Sequence, residues 1–166
     1  QLTGEIPSEI GSLENLVWLN LHNNQFTGEI PSEIGNLINL TALYCASNQL
    51  SGEIPIEIFN LTNLTQLSIA NNQFTGEISS NIGNLTNLYI FMLNGNQFSG
   101  IIPESICELN NIDWSNSSGT GNDSSFRIKN NQLCPPYPSC IEDYVGEQDW
   151  SNCENVGCMN ETACNY

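Results

Sequence analysis

Residues 13–37 read LENLVWLNLHNNQFTGEIPSEIGNL, and this stretch is one period of a pattern that runs through most of the chain. Gly4, Gly28, Gly52, Gly76 and Gly100 stand 24 residues apart without exception. Four further ladders hold the same spacing: Leu13/Leu37/Leu61/Leu85/Leu109, Leu16/Leu40/Leu64/Leu88/Ile112, Leu19/Leu43/Leu67/Phe91 and Asn24/Asn48/Asn72/Asn96. Independent ladders in one register mark an internal structural repeat, not a compositional bias.

Within Leu19-Asn-Leu21, alternate residues point the same way, which is the signature of a strand with one buried face. One coil cannot bury that face alone, whereas stacked coils form a continuous apolar column. Asn24 and its equivalents fall where the chain turns, and a buried amide there can bond backbone groups of the next coil. The repeated Gly permits a backbone geometry that a Cβ obstructs, and the Pro after it discourages further regular pairing. Cys45 takes the place of a column leucine and reads as a small buried hydrophobe.

The template LxxLxxLxLxxNxFxGxIPxxIGxL, as it stands from Leu13 to Leu37, resembles the plant-specific class of extracellular leucine-rich repeats. That class includes receptor-kinase ectodomains, polygalacturonase-inhibiting proteins and some ice-binding proteins. The resemblance covers Gln1 to about Leu109. It implies an α/β repeat solenoid, a right-handed curved superhelix with a parallel β-sheet on the concave face. Short 3₁₀ segments and turns lie opposite in that fold, with little true α-helix, and its role is recognition, not catalysis.

The pattern breaks after Ile112 and resumes at Phe126-Arg-Ile-Lys-Asn-Asn131, so Asn96 and Asn131 are 35 residues apart and 11 residues are inserted. The insertion, Ser115 to Ser125, is polar and Gly-rich and is expected as a surface loop. The domain reading is therefore a solenoid over 1–133 and a disulfide-rich cap or tail over 134–166. Six of the seven cysteines, Cys107, Cys134, Cys140, Cys153, Cys158 and Cys164, fall between positions 107 and 164, which suits an oxidising compartment. Extending the period sets Cys140 one coil from Ser105, so Cys107 with Cys140 is one reasonable pair among 15 possible pairings. The segment Gly157 to Tyr166 is similar to short Cys-rich segments after repeats in secreted microbial and algal surface proteins.

Against 18 acidic residues stand only Arg127 and Lys129, a net charge of −16. No basic footprint exists to displace counterions from phosphate, so nucleic acid is not expected as a partner and an anionic membrane surface is disfavoured. Only 12% of residues are charged. Asn-x-Ser/Thr triplets at Asn39, Asn60, Asn63, Asn84, Asn116, Asn122 and Asn160 are glycosylation candidates and fit an extracellular chain. No apolar run is long enough for a membrane span. Gln1 opens inside a repeat, which suggests a mature or partial chain without a signal peptide.

Projecting the register outward gives the candidate binding face: Trp18, Asn20, His22, Tyr44, Gln66, Ser68, Ile90 and Met92. These belong to the columns Trp18/Ala42/Gln66/Ile90, Asn20/Tyr44/Ser68/Met92 and His22/Ala46/Ala70/Asn94. Exposed aromatics on adjacent coils are the usual anchors of interfaces and also stack on sugars. A carboxylate ladder, Glu5/Glu29/Glu53/Glu77, reads as a solvated face with at most weak Ca²⁺ binding, and no metal site or other cofactor is expected. His22 is the only histidine and carboxylate pairs recur in every coil, so no catalytic set is assembled and no enzyme is expected. The leading expectation is a non-catalytic scaffold that recognises a protein or glycan. Two alternatives stand beside it. One is a surface-matrix or filament subunit, joined head to tail through the open first coil. The other is an ice-binding protein, suggested by the column Thr27/Ser51/Thr75/Ser99.

Overall fold

The computed structural model describes residues 1–115 and 125–155. Its spine is a parallel sheet of five short strands in chain order: Trp18–Asn20, Ala42–Tyr44, Gln66–Ser68, Ile90–Met92 and Phe126–Arg127. Pairing follows the repeat, with Trp18 beside Ala42, then Gln66, then Ile90. The insertion is absorbed without a register slip, since Phe126 pairs with Phe91 and Arg127 with Met92. Leu19, Leu43, Leu67, Phe91 and Phe126 all turn inward and are buried, as the period of two demands.

A second parallel ladder was not expected from the sequence. Thr3–Glu5, Gln25–Gly28, Gln49–Gly52 and Gln73–Phe74 pair in order, and Ser99–Ile101 pairs with Gln132–Cys134. The Gln-Phe-Thr-Gly stretch buries Phe26, Phe74 and Phe98 on one side and so behaves as a strand before the Pro ends it. Partners here are 22 residues apart, Thr27 beside Gln49 and Ser51 beside Gln73, so this ladder runs obliquely to the 24-residue repeat. Gly52 has φ +78°, and a Cβ there would meet the Glu29 side chain at 2.7 Å. Gly28, Gly52, Gly76 and Gly100 are thus required both by conformation and by close approach, and Gly4 by conformation alone.

Opposite the first sheet lie five 3₁₀ segments, Ser8–Ser12, Ser32–Asn36, Ile56–Asn60, Ser80–Asn84 and Glu104–Glu108. Four follow an extended proline, whose fixed φ leads into the turn; Ser79 takes that place in the fourth segment and its hydroxyl accepts from the Asn81 N–H at 3.2 Å. No α-helix occurs among the described residues.

The asparagine ladder stitches coil to coil. In Asn72, Oδ1 accepts from Leu50 N–H at 3.0 Å, while Nδ2 donates to the carbonyls of Cys45 at 3.0 Å in the previous coil and of Ile69 at 3.1 Å in its own. Asn48, Asn96 and Asn131 repeat the arrangement. Backbone groups that the turn would leave unpaired are therefore satisfied by side chains. Cys45 is fully buried, and burial pushes its thiol up to about 12.

Cys107–Cys140 and Cys134–Cys153 close the other end, the first being the pair that the spacing suggested. The cap continues the ladder: Gln148 Oε1 accepts from Leu133 N–H at 3.4 Å, and Nε2 donates to the carbonyls of Ile128 at 3.2 Å and Val145 at 3.1 Å. Cys158, Cys164, Asn116, Asn122, Asn160 and nearly all of the 115–125 insertion lie outside the described residues.

Candidate ligand-binding face

Strand alternation places one residue in two on the outer side of the five-stranded sheet. Trp18, Asn20, His22, Tyr44, Gln66, Ser68, Ile90 and Met92 together line one open depression of about 420 Å³. Trp18 is 63% exposed, and its ring centroid lies 6.2 Å from that of Tyr44 on the next coil, tilted by 56°. The Tyr44 hydroxyl donates to Gln66 Oε1 on the coil beyond, so the phenol is held across the groove. Burial raises the Tyr44 hydroxyl above its ordinary value, with the Tyr89 phenol adding to the effect. The Asn20 carboxamide oxygen accepts from His22 N–H at 3.0 Å, and His22 Nδ1 lies 2.9 Å from the Ala46 carbonyl oxygen.

The exposed columns read from sequence need one correction. Ser68 is only 5% exposed and Ala42, Ala46 and Ala70 are buried as well. Ser68 stands between Tyr44 and Met92, is covered by these longer side chains and forms the floor of the groove. Ile90 and Met92 are half-buried and make its apolar far wall.

Two further features escaped the sequence reading. Tyr89 is 44% exposed and flanks the sheet in the column Val17/Thr41/Thr65/Tyr89, where it is the single aromatic. The register also carries Arg127 beside Met92, and alternation sets Lys129 two residues on, on the same side. Both bases of a chain with 18 acids thus fall on the last coil of this face. Continuing the columns past the insertion would have found them.

Elsewhere the hydroxyl column is less regular than its spacing suggests. Ser51 is half-buried, Thr75 Oγ1 donates to Gly52 O at 3.3 Å, and oblique pairing puts Gln49 beside Thr27 and Gln73 beside Ser51. No group of three or more His, Cys, Asp or Glu residues able to hold a metal occurs among the described residues. No helix there is long and apolar enough to cross a membrane.

Comparison with solved structures finds similar chains among plant receptor ectodomains and a plant ice-binding protein. The plant peptide hormone receptor RGFR1, solved in complex with RGF2, is 33% identical with a TM-score of 0.76, over 89% of this chain and 22% of the receptor chain. The BIR3–SERK2 complex from Arabidopsis thaliana gives 34% identity and a TM-score of 0.65, over 84% and 69% of the two chains. A plant ice-binding protein gives 32% and 0.65, over 80% and 39%. The chain spans under a quarter of the length of the first two receptors it matches, 22% and 24%. No curated protein matches the sequence. The family model described as a leucine-rich repeat region matches residues 1–138, and the chain belongs to that family.

Proposed function

We propose that the chain is an extracellular recognition module whose concave face binds an extended segment of a protein partner. The observation that carries this reading is the convergence of eight outward side chains on one groove, aromatic at one end and apolar at the other. Four strand steps separate the coil of Trp18 from that of Arg127, roughly 19 Å at the usual strand spacing, which matches about six residues of extended peptide. The basic pair at the far end favours a segment that places an acidic group there, while Trp18 and Tyr44 stack on an apolar or aromatic side chain at the near end. RGFR1 and HAESA were each solved with a peptide hormone, which supports a peptide over a sugar for this groove.

Selection of displayed random dodecapeptides on the purified chain tests the proposal. Enriched peptides are expected to share an apolar–acidic pattern and to lose at least tenfold in affinity with Trp18→Ala or Tyr44→Ala. Peptides that bind both variants as tightly as the parent would refute it, and selective binding on a glycan array would move the reading to sugars. The oblique hydroxyl column gives ice binding less support, and head-to-tail assembly is read separately by light scattering.

A further inference from the structure

The four described sequons form two columns with opposite chemistry. Asn39 and Asn63 precede the strands Ala42–Tyr44 and Gln66–Ser68 by three residues each, on the flank that leads into the groove. Their amides are already employed: Asn39 Nδ2 donates to Glu14 O at 2.9 Å and Asn63 Nδ2 to Ile38 O at 2.9 Å. Asn87 and Asn111, which are not sequons, make the same bond to Thr62 O at 2.8 Å and Thr86 O at 2.9 Å. The asparagine at this position is therefore a second inter-coil ladder, and the sequon arises only because Leu-Thr follows it. The sequon hydroxyls are engaged too, Thr41 Oγ1 donating to Val17 O at 3.0 Å and Thr65 Oγ1 to Thr41 O at 3.0 Å.

Asn60 and Asn84 differ on every count. Each ends a 3₁₀ segment and is exposed. Neither their amides nor the hydroxyls of Thr62 and Thr86 take a hydrogen-bond partner among the described residues. A sugar on either asparagine therefore displaces nothing, whereas a sugar on Asn39 or Asn63 leaves Nδ2 a single hydrogen, which must keep its bond to Glu14 O or Ile38 O while the sugar is fitted beside the neighbouring coil.

We propose that Asn60 and Asn84 are N-glycan acceptor sites and that Asn39 and Asn63 stay unmodified as inter-coil ties. In the transfer, the amide nitrogen attacks the anomeric carbon of an oligosaccharide carried on a lipid pyrophosphate. The C–N bond forms as the C–O bond breaks, the amide loses one proton, and the lipid pyrophosphate leaves. The glycans then sit at the ends of the 3₁₀ segments, away from the flank that opens onto the groove.

The test is secretion of the full chain from a eukaryotic host, followed by enzymatic deglycosylation in ¹⁸O water and peptide mass mapping. Label is expected at Asn60 and Asn84 and absent at Asn39 and Asn63. In addition, Thr62→Ala and Thr86→Ala should each remove one glycan from the intact mass, while Thr41→Ala and Thr65→Ala should remove none. Glycan on Asn39 or Asn63, or bare amides at both Asn60 and Asn84, overturns the proposal. This outcome is independent of peptide binding, so it can fail without touching the groove's function.

Discussion

Replacing Asn96 by Ala removes three hydrogen bonds from the middle of the spine, and their consequences are unequal. The Phe74 N–H, bonded to Asn96 Oδ1 at 3.1 Å, is left without a partner. The carbonyls of Ile69 and Leu93 each keep one amide donor, from Asn72 at 3.1 Å and Asn131 at 3.1 Å, and lose the other. An orphaned buried N–H costs about 1–3 kcal/mol and each of the two lost second bonds about 0.5–1 kcal/mol, so the variant should be destabilised by about 2–5 kcal/mol. Asn24→Ala is the control. Its side chain is half-buried on the first coil, where water can replace the lost bonds, and it should cost about 1 kcal/mol. Urea unfolding followed by far-UV circular dichroism and by tryptophan fluorescence measures both, with coincident transitions licensing a single free energy in a repeat chain. Asn96→Asp adds a sign test: it keeps the acceptor for Phe74 but turns a carboxylate oxygen toward two carbonyls. Its buried carboxyl should titrate above the unfolded value, so stability should recover as pH falls and the protonated group donates again. An Asn96→Ala cost no greater than that of Asn24→Ala would refute the reasoning that burial of the spine sets its worth.

Trp18→Ala should change stability by no more than about 0.5 kcal/mol, because the exposed ring supports the groove and not the core; thermal unfolding checks this. Replacing both Cys107 and Cys140 by Ser opens a closure of 33 residues and should cost roughly 3–4 kcal/mol, read from the urea midpoint. Gln148→Ala should cost about 1–3 kcal/mol by leaving the Leu133 N–H unbonded, again read by urea unfolding. Cys45 should resist alkylation at pH 8 in the folded chain and react once urea unfolds it. Because its thiol rises from 9.0 to about 12 on folding, the stability it contributes is whole below pH 9 and lost as pH rises toward 12. Cys45→Ala should flatten that alkaline decline.

Much of this fold was legible in sequence because each coil solves the same problem with the same residues. Leu19, Leu43 and Leu67 announce an inward face by simple alternation, and Asn48 and Asn72 announce a turn whose backbone needs side-chain partners. The second ladder was hidden because Gln-Phe-Thr-Gly is a weak strand signal whose partners sit 22, not 24, residues away. Outward columns could be listed but not their depth: Ser68 is covered by Tyr44 and Met92, and side-chain length on the neighbouring strands decides that, not register. Arg127 and Lys129 were missed as site residues because the insertion obscured the column they complete. Gln148 could not be found at all, since a glutamine standing in for a spine asparagine shares no spacing with it.

That substitution has a consequence for how such a chain changes over generations. The last coil meets in Gln148 the same pattern of acceptors and donors that any interior coil meets in its successor's asparagine. A whole coil gained or lost upstream of the coil that carries Cys107, by unequal recombination, therefore leaves the terminator's docking surface intact. The number of coils is free to drift while the closing piece stays constant, and ligand reach can be altered without inventing a new end.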